Sequence, residues 1–482
     1  MTAFLIALSV LIGGYFVYGA IAEKVFGTDY SRKMPCHTKA DGVDFTPMPT
    51  WKVFLIQFLN IAGLGPIFGA IMGIMFGPAA FIWIVAGTIF GGAVHDFISA
   101  MMSIRSGGDS LPELVGRELG PAVKQVMRVV SVLLLVLVAA VFVITPAGLL
   151  AGLTPSWAGT LFWIAVIFLY YMTATLVPID KLIGRFYPIF GFALLFMAGG
   201  LLAVLLSGAH PIPDGFSDGL ATRYSDASTH PVFPMMFVSI ACGAISGFHA
   251  TQSPMMARCL KNERLARPVF YGAMVAEGIV ALVWAAAAIA FTGSYSGLAE
   301  FLSSHAGAGA LVSAISVEWL GAAGGLLAML GVIAAPITTG DTALRSARLM
   351  LADMLHIDQG PIRKRILVSL PVFAAALGLM LIDFDILWRY FAWTNQTLAA
   401  VTLWAATVYL ARHRKAYVIC LLPALFMTLV VVTYIFFAPE GFGLPMAASL
   451  TIAGLSDTII LGLFCRYLLL LRKGKLIHEV AY

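Results

Sequence analysis

Apolar residues run through this chain in long stretches separated by short polar ones. A hydrocarbon core about 30 Å thick needs roughly 20 apolar residues per crossing helix. Runs of that length lie near 1–22, 51–77, 79–104, 123–150, 157–177, 187–207, 233–257, 266–292, 323–350, 364–382, 385–410, 417–437 and 447–469, labelled α1 to α13 in that order. The pattern predicts an all-α integral membrane protein of about thirteen transmembrane helices. The longest polar stretches, 23–50 and 208–232, are too short to bury a core of their own. Stretch 293–322 has no Lys or Arg and mixes Gly with apolar residues. It reads either as a hairpin lying on the membrane, a candidate lid, or as an ordinary packed loop.

Composition excludes a soluble protein. The chain is 60% hydrophobic and 11% charged, with a mean hydropathy of +0.94; soluble domains carry roughly 25% charged residues. The placement of charge says more than the net +5. With the N-terminus outside and helices alternating, 27 of the 29 lysines and arginines fall on the cytoplasmic side, in 24–52, 105–128, 181–185, 258–267, 345–365, 412–415 and 466–475. Only Arg223 and Arg389 do not. Positive charge collects in cytoplasmic loops, and one miscounted helix would scramble every later loop. The expected topology is a multi-pass protein of the cell inner membrane, N-terminus periplasmic and C-terminus cytoplasmic. The first apolar run lacks a basic leader segment and reads as a retained helix. Cys36, Cys242, Cys259, Cys420 and Cys465 are scattered and read as free thiols, with neither a disulfide framework nor a metal site.

Two helices carry breakers near their middle. In α2 the run is Asn60-Ile61-Ala62-Gly63-Leu64-Gly65-Pro66, and in α7 it is Cys242-Gly243-Ala244-Ile245-Ser246-Gly247-Phe248-His249 through Pro254. Gly weakens a helix and Pro removes a backbone donor. These runs mark either interrupted helices or close packing through small residues. Helix α7 is the fifth after α2, an odd offset, so the two run in opposite directions. This places an N-terminal helix and cytoplasmic loop at 1–50, a first five-helix repeat at 51–207 and an inverted second repeat at 233–410. Two peripheral helices follow at 411–482. Paired interruptions in corresponding positions point to a transporter's binding site. Candidate substrate-binding residues are Asn60, Gly63, Gly65, Ser246, His249, Gln252, Asn395 and Gln396.

Ionisable residues at membrane depth are costly and usually face a cavity or a partner. His95, Asp96, Glu277, Thr338, Thr339 and Asp341 are candidates for ion coupling. Glu277 is the strongest, because the cost of a buried charge makes its protonation depend on whether water reaches it. The two threonines offer hard oxygen ligands for sodium, although threonine also bonds its own helix. Asp341 and Arg345, four apart, are alternatively a simple pair, His95-Asp96 a packing pair, and Asn395-Gln396 glue between helices. Asp457, outside the proposed core, reads as structural. The coupling ion is H+ or Na+; no cofactor and no bound metal are expected. No GxxxxGK[ST] motif is present, so ATP coupling within the chain is not expected.

Several motifs together resemble the carbon starvation (CstA) family of bacterial membrane proteins, from about residue 15 to 410. They are His37-Thr38 with Asp41-Gly42-Val43-Asp44-Phe45-Thr46-Pro47; Ile61 to Pro66; Gly91-Gly92-Ala93-Val94-His95-Asp96-Phe97; Ser246 to Gln252; and Phe391-Ala392-Trp393-Thr394-Asn395-Gln396. The resemblance implies an inner-membrane transporter for small peptides or pyruvate, active under carbon starvation. It also implies kinship with the amino acid–polyamine–cation superfamily and its LeuT-like five-plus-five inverted repeat. The chain is shorter than the longer members of that family. The expected partners are a small-molecule substrate and the lipid bilayer, not nucleic acid; oligomeric state stays open. The rival reading is a membrane-embedded nutrient sensor or a metal-dependent membrane enzyme using His37, Asp41, Asp44, His95 and Asp96, for which no HExxH-like spacing is present.

Overall fold

The computed structural model describes residues 1–42, 44–175, 179–213, 215–217, 219–304, 307–359 and 361–473. Val43 of the loop motif and Lys475 of the basic inventory lie outside the described residues. No strand occurs among the described residues, and each of the thirteen apolar runs is helical, whole or interrupted. The uninterrupted ones are α1 (Thr2–Phe26), α3 (Ala79–Arg105), α4 (Pro121–Leu153), α5 (Thr160–Ala174), α6 (Ile179–Leu206) and α8 (Glu263–Thr292). They continue with α10 (Ile362–Leu379), α11 (Phe384–Arg412), α12 (Val418–Phe437) and α13 (Met446–Arg472). The helix Gly307–Leu355 contains α9 and turns at Gly321, whose φ of 70° suits a glycine.

Among the described residues, eight helices are individually long and apolar enough to cross a bilayer, and up to ten if each of two bent pairs is one span. One bent pair is α2. The other, Tyr295–Ser304 with Gly307–Ala322, bends by 112°.

Depth in the bundle follows side-chain pattern. The apolar windows of α3 and α8 are each 83% buried, whereas that of α13 is 17% buried. A helix apolar on all sides belongs in the centre. In α8, Ala285, Ala286, Ala287 and Ala288 are all fully buried, and Gly278 lies against Thr88. Small residues let neighbours approach from every direction. By contrast α13 exposes Leu455, Ile459 and Leu463, a face that requires hydrocarbon around it.

Several ion pairs join the ends of helices. Glu263, fully buried at the entry to α8, accepts the Asp29 N–H at 2.6 Å, Arg32 Nε at 3.0 Å and Arg105 Nε at 3.2 Å. Arg105 also donates to the Gly27 carbonyl at 2.6 Å and lies over the Phe26 ring. One buried carboxylate thus ties the end of α1, the end of α3 and the start of α8. Beside it, the short helix Leu111–Leu119 presents Glu118 to Arg412. Burial pushes the Glu118 carboxyl up to about 7, outweighing the arginines near it.

Candidate functional site at two facing helix breaks

Both breaker runs interrupt their helices. The first half of α2, Thr50–Ile61, stops at Ala62, and the chain resumes as Gly65–Phe76 at an angle of 55°. Its restart is a π-helical turn, Gly65–Gly69, opened by Pro66, which has no N–H to give to the preceding turn. In α7 the turns Val232–Met236 and Phe237–Ser239 end at Ile240, and helix returns only at His249–Ala257. Gly243 at φ +89° lies between them.

The two breaks pack against each other. A Cβ on Gly65 would lie 2.2 Å from Cys242 Cβ, and one on Gly243 would lie 3.6 Å from Pro66 Cα and 2.6 Å from Ala281 Cβ. Irregular backbone at membrane depth must be satisfied by protein groups, and side chains do this here. Asn395 Oδ1 accepts Ser246 Oγ at 3.0 Å and the Phe248 N–H at 2.7 Å, while the Asn395 carbonyl accepts the Gly247 N–H at 3.2 Å. Thr88 Oγ1 donates to the Gly243 carbonyl at 2.9 Å and Trp83 Nε1 to that of Ile240 at 3.2 Å.

Beside the breaks runs a line of buried ionisable groups from three helices. His95 Nδ1 lies 2.8 Å from Asp96 Oδ1, and Asp96 Oδ2 lies 2.9 Å from His249 Nδ1. His249 Nε2 in turn lies 3.5 Å from Glu277 Oε2. All four residues are at most 1% exposed. The structure therefore joins His249, read from sequence as a substrate contact, to three residues read as ion-coupling groups.

The remaining candidates are also buried. Asn60 sits in the last turn before the α2 break with neither side-chain polar atom hydrogen-bonded. Gln252 Nε2 donates to Thr251, and Gln396 Nε2 to the Phe237 carbonyl at 3.1 Å. Gly63 lies against Phe142 and Thr339. The Thr338 hydroxyl bonds carbonyls of its own helix, whereas Thr339 also reaches the Leu59 carbonyl of α2 at 3.2 Å. Asp341 Oδ2 accepts the Tyr187 hydroxyl at 2.7 Å, and Arg345 donates to the Ala174 carbonyl at 2.7 Å. Clefts of about 520 Å³ (Trp83, Phe90, Phe237 and Phe426 among the lining) and 640 Å³ (Trp51, Phe54, Phe192) are lined by none of the candidate residues.

Sequence reasoning did not single out Cys242, Thr88 or Tyr187. Thr88 and Tyr187 stand in apolar runs with no local signal. Cys242 lies within the α7 break, and that position was the available hint.

Fold and site together define a multi-pass helical membrane protein whose polar core is built on two interrupted helices. The chain belongs to the family described as carbon starvation protein CstA, whose profile matches residues 1–173, 157–315 and 294–434. Among its relatives, an uncharacterized membrane protein of Haemophilus influenzae is 42% identical over 338 residues, 60% of this chain and 91% of that protein. The peptide transporter CstA of Bacillus subtilis is 26% identical over 530 residues, 89% of this chain and 88% of its own. The pyruvate/proton symporter BtsT of Escherichia coli is 28% identical over 341 residues, 58% of this chain and 47% of its own.

Proposed function

We propose that this chain is a secondary active transporter that takes up small peptides or pyruvate across the bacterial inner membrane, driven by a proton gradient. The observation that carries the reading is the pair of helix breaks facing each other in a buried polar core, because paired interruptions mark the midplane substrate site of such carriers. Substrate class follows from the relatives named as a peptide transporter and a pyruvate/proton symporter. The proton is favoured over sodium by that second name and by the threonines, whose hydroxyls are engaged with carbonyls.

The inverted repeat, 51–207 against 233–410, is supported by position. Gly63 and Gly243 stand 180 residues apart, and so do Gly87 and Arg267, the first residues of two π-helical turns. With 1–50 before the repeats and 411–482 after them, the topology is N-terminus out and C-terminus in. Asn60, Gly63, Gly65, Ser246, Gln252, Asn395 and Gln396 frame the substrate site. His95, Asp96, His249 and Glu277 couple it to the ion, their carboxylates supplying the counter-charge. Thr338, Thr339 and Asp341 hold α9 against α2 and α6. A sensor or enzyme is less favoured, since the named relatives are a peptide transporter and a pyruvate/proton symporter.

The test is uptake of labelled pyruvate and labelled dipeptide by proteoliposomes with an imposed pH gradient. Accumulation that collapses with a protonophore is the expected result. Binding without accumulation under any imposed gradient would refute transport.

A further inference from the structure

We infer that Cys242, His249 and Glu277 form a site for one thiophilic divalent cation of the zinc class. Their Sγ, imidazole nitrogen and carboxylate oxygen atoms all lie within 4.8 Å of one another, and all three residues are buried. The sequence offered no metal-ligand spacing, because the α7 break and α8 bring the donors together.

Three features point to a ligand. First, His249 Nε2 and both Glu277 carboxylate oxygens are buried and make no hydrogen bond, with only the 3.5 Å approach of Nε2 to Oε2 between them. Buried polar atoms are rarely left so, because an unpaired one costs about 1–3 kcal/mol. Second, the separations suit a small tetrahedral ion. Bond lengths of roughly 2.0–2.3 Å to N, O and S put neighbouring ligand atoms about 3.3–3.6 Å apart. His249 Nε2 and Glu277 Oε2 already stand at 3.5 Å, and all three donor atoms lie within 4.8 Å of one another. Third, the outer arrangement is one that metal-binding histidines use. His249 Nδ1 lies 2.9 Å from Asp96 Oδ2, and Asp96 is held from behind by His95. An Nδ1–H donated to a carboxylate fixes the ring and leaves Nε2 as the ligating atom.

A thiolate, an imidazole and a carboxylate form a donor set for zinc or its analogue cadmium rather than for magnesium or calcium, which prefer all-oxygen sites. On binding, Cys242 gives up its thiol proton to solvent and the thiolate takes the metal. The ion would bridge the α7 break to α8. Since the site is buried, the ion enters only when the core opens, and once bound it holds the core closed. The binding claim stands without the transport reading; only the consequence for uptake rests on it.

The experiment titrates purified full-length protein in lipid nanodiscs with Cd2+, following the thiolate-to-cadmium charge-transfer band, with Zn2+ as competitor. The expected result is one equivalent per chain, a band absent from Cys242→Ser, displacement by Zn2+, and affinity about 10–100-fold weaker in Asp96→Asn. No band, or a band that persists in Cys242→Ser because Cys36, Cys259, Cys420 or Cys465 supplies it, overturns the site. In proteoliposomes, Zn2+ should slow uptake by the unaltered protein and leave Cys242→Ser uninhibited. Saturable cysteine-dependent binding with no effect on uptake overturns the closing role alone. Absence of uptake by the unaltered protein counts against the transport reading and not against the site.

Discussion

The α7 break depends on Gly243, and Gly243→Ala separates two physical reasons for that. The residue has a φ of +89°, where a side chain costs about 1–2 kcal/mol through contact with its own backbone. The added Cβ would also lie 2.6 Å from Ala281 Cβ on α8. Ordinary contact begins near 3.4 Å, so roughly 0.8 Å must be found by moving a helix, since neither methyl group can rotate away. Overpacking of this kind costs about 1–3 kcal/mol. The variant should therefore lose roughly 2–5 kcal/mol, and its uptake per folded molecule should fall because the break is displaced from α2. Adding Ala281→Gly removes the clash and leaves the backbone strain, so the double variant should recover part of the loss. Ala281→Gly alone is the control, expected to cost about 0.5–1 kcal/mol as a glycine inside a helix. The assays are thermal unfolding in detergent and initial uptake rate in proteoliposomes. A Gly243→Ala protein as stable and active as the unaltered one refutes the reasoning. Full recovery in the double variant refutes the backbone part.

Asn395→Ala deprives the Ser246 hydroxyl and the Phe248 N–H of their acceptor; a loss of about 1–3 kcal/mol for each buried group is expected in thermal unfolding, and an unchanged midpoint would contradict it. Removing the Arg105 side chain with Arg105→Ala leaves Glu263 buried with fewer partners, and a loss of about 3–5 kcal/mol is the upper expectation for a broken buried pair. Because Arg32 and the Asp29 N–H remain, the measured value should fall below that range. Glu118 gives a pH signature. Its carboxyl is raised from 4.5 to about 7 by burial, so its contribution to stability is full below about pH 4.5 and is lost as pH rises through about 7. Stability should drop by up to about 3 kcal/mol across that window in the unaltered protein and stay flatter in Glu118→Gln, read as parallel melting curves from pH 5 to 8. Identical curves for the two proteins would show that Glu118 is not held neutral by burial.

The sequence by itself determined the features that depend on local composition. Runs long enough to cross hydrocarbon, the one-sided arginines and lysines, and the Gly- and Pro-rich interruptions of α2 and α7 are all written in residues close together in the chain. Each has a physical effect that does not wait for the rest of the fold: apolar length partitions into lipid, Gly and Pro weaken a helix wherever they stand. The helix Thr160–Ala174 shows the limit even there, since its 15 residues are fewer than the apolar run suggested. Which groups meet was decided by tertiary structure. Asp96 and His249 are 153 residues apart, and their contact depends on how α3, α7 and α8 rotate and pack. The same holds for Tyr187 on Asp341, and for Glu263, whose partners come from the end of α1 and the end of α3. Spacing along one helix fixes which residues share a face, but only the packing of small residues such as Gly65 on Cys242 and Gly278 on Thr88 brings the faces close enough for their polar groups to touch.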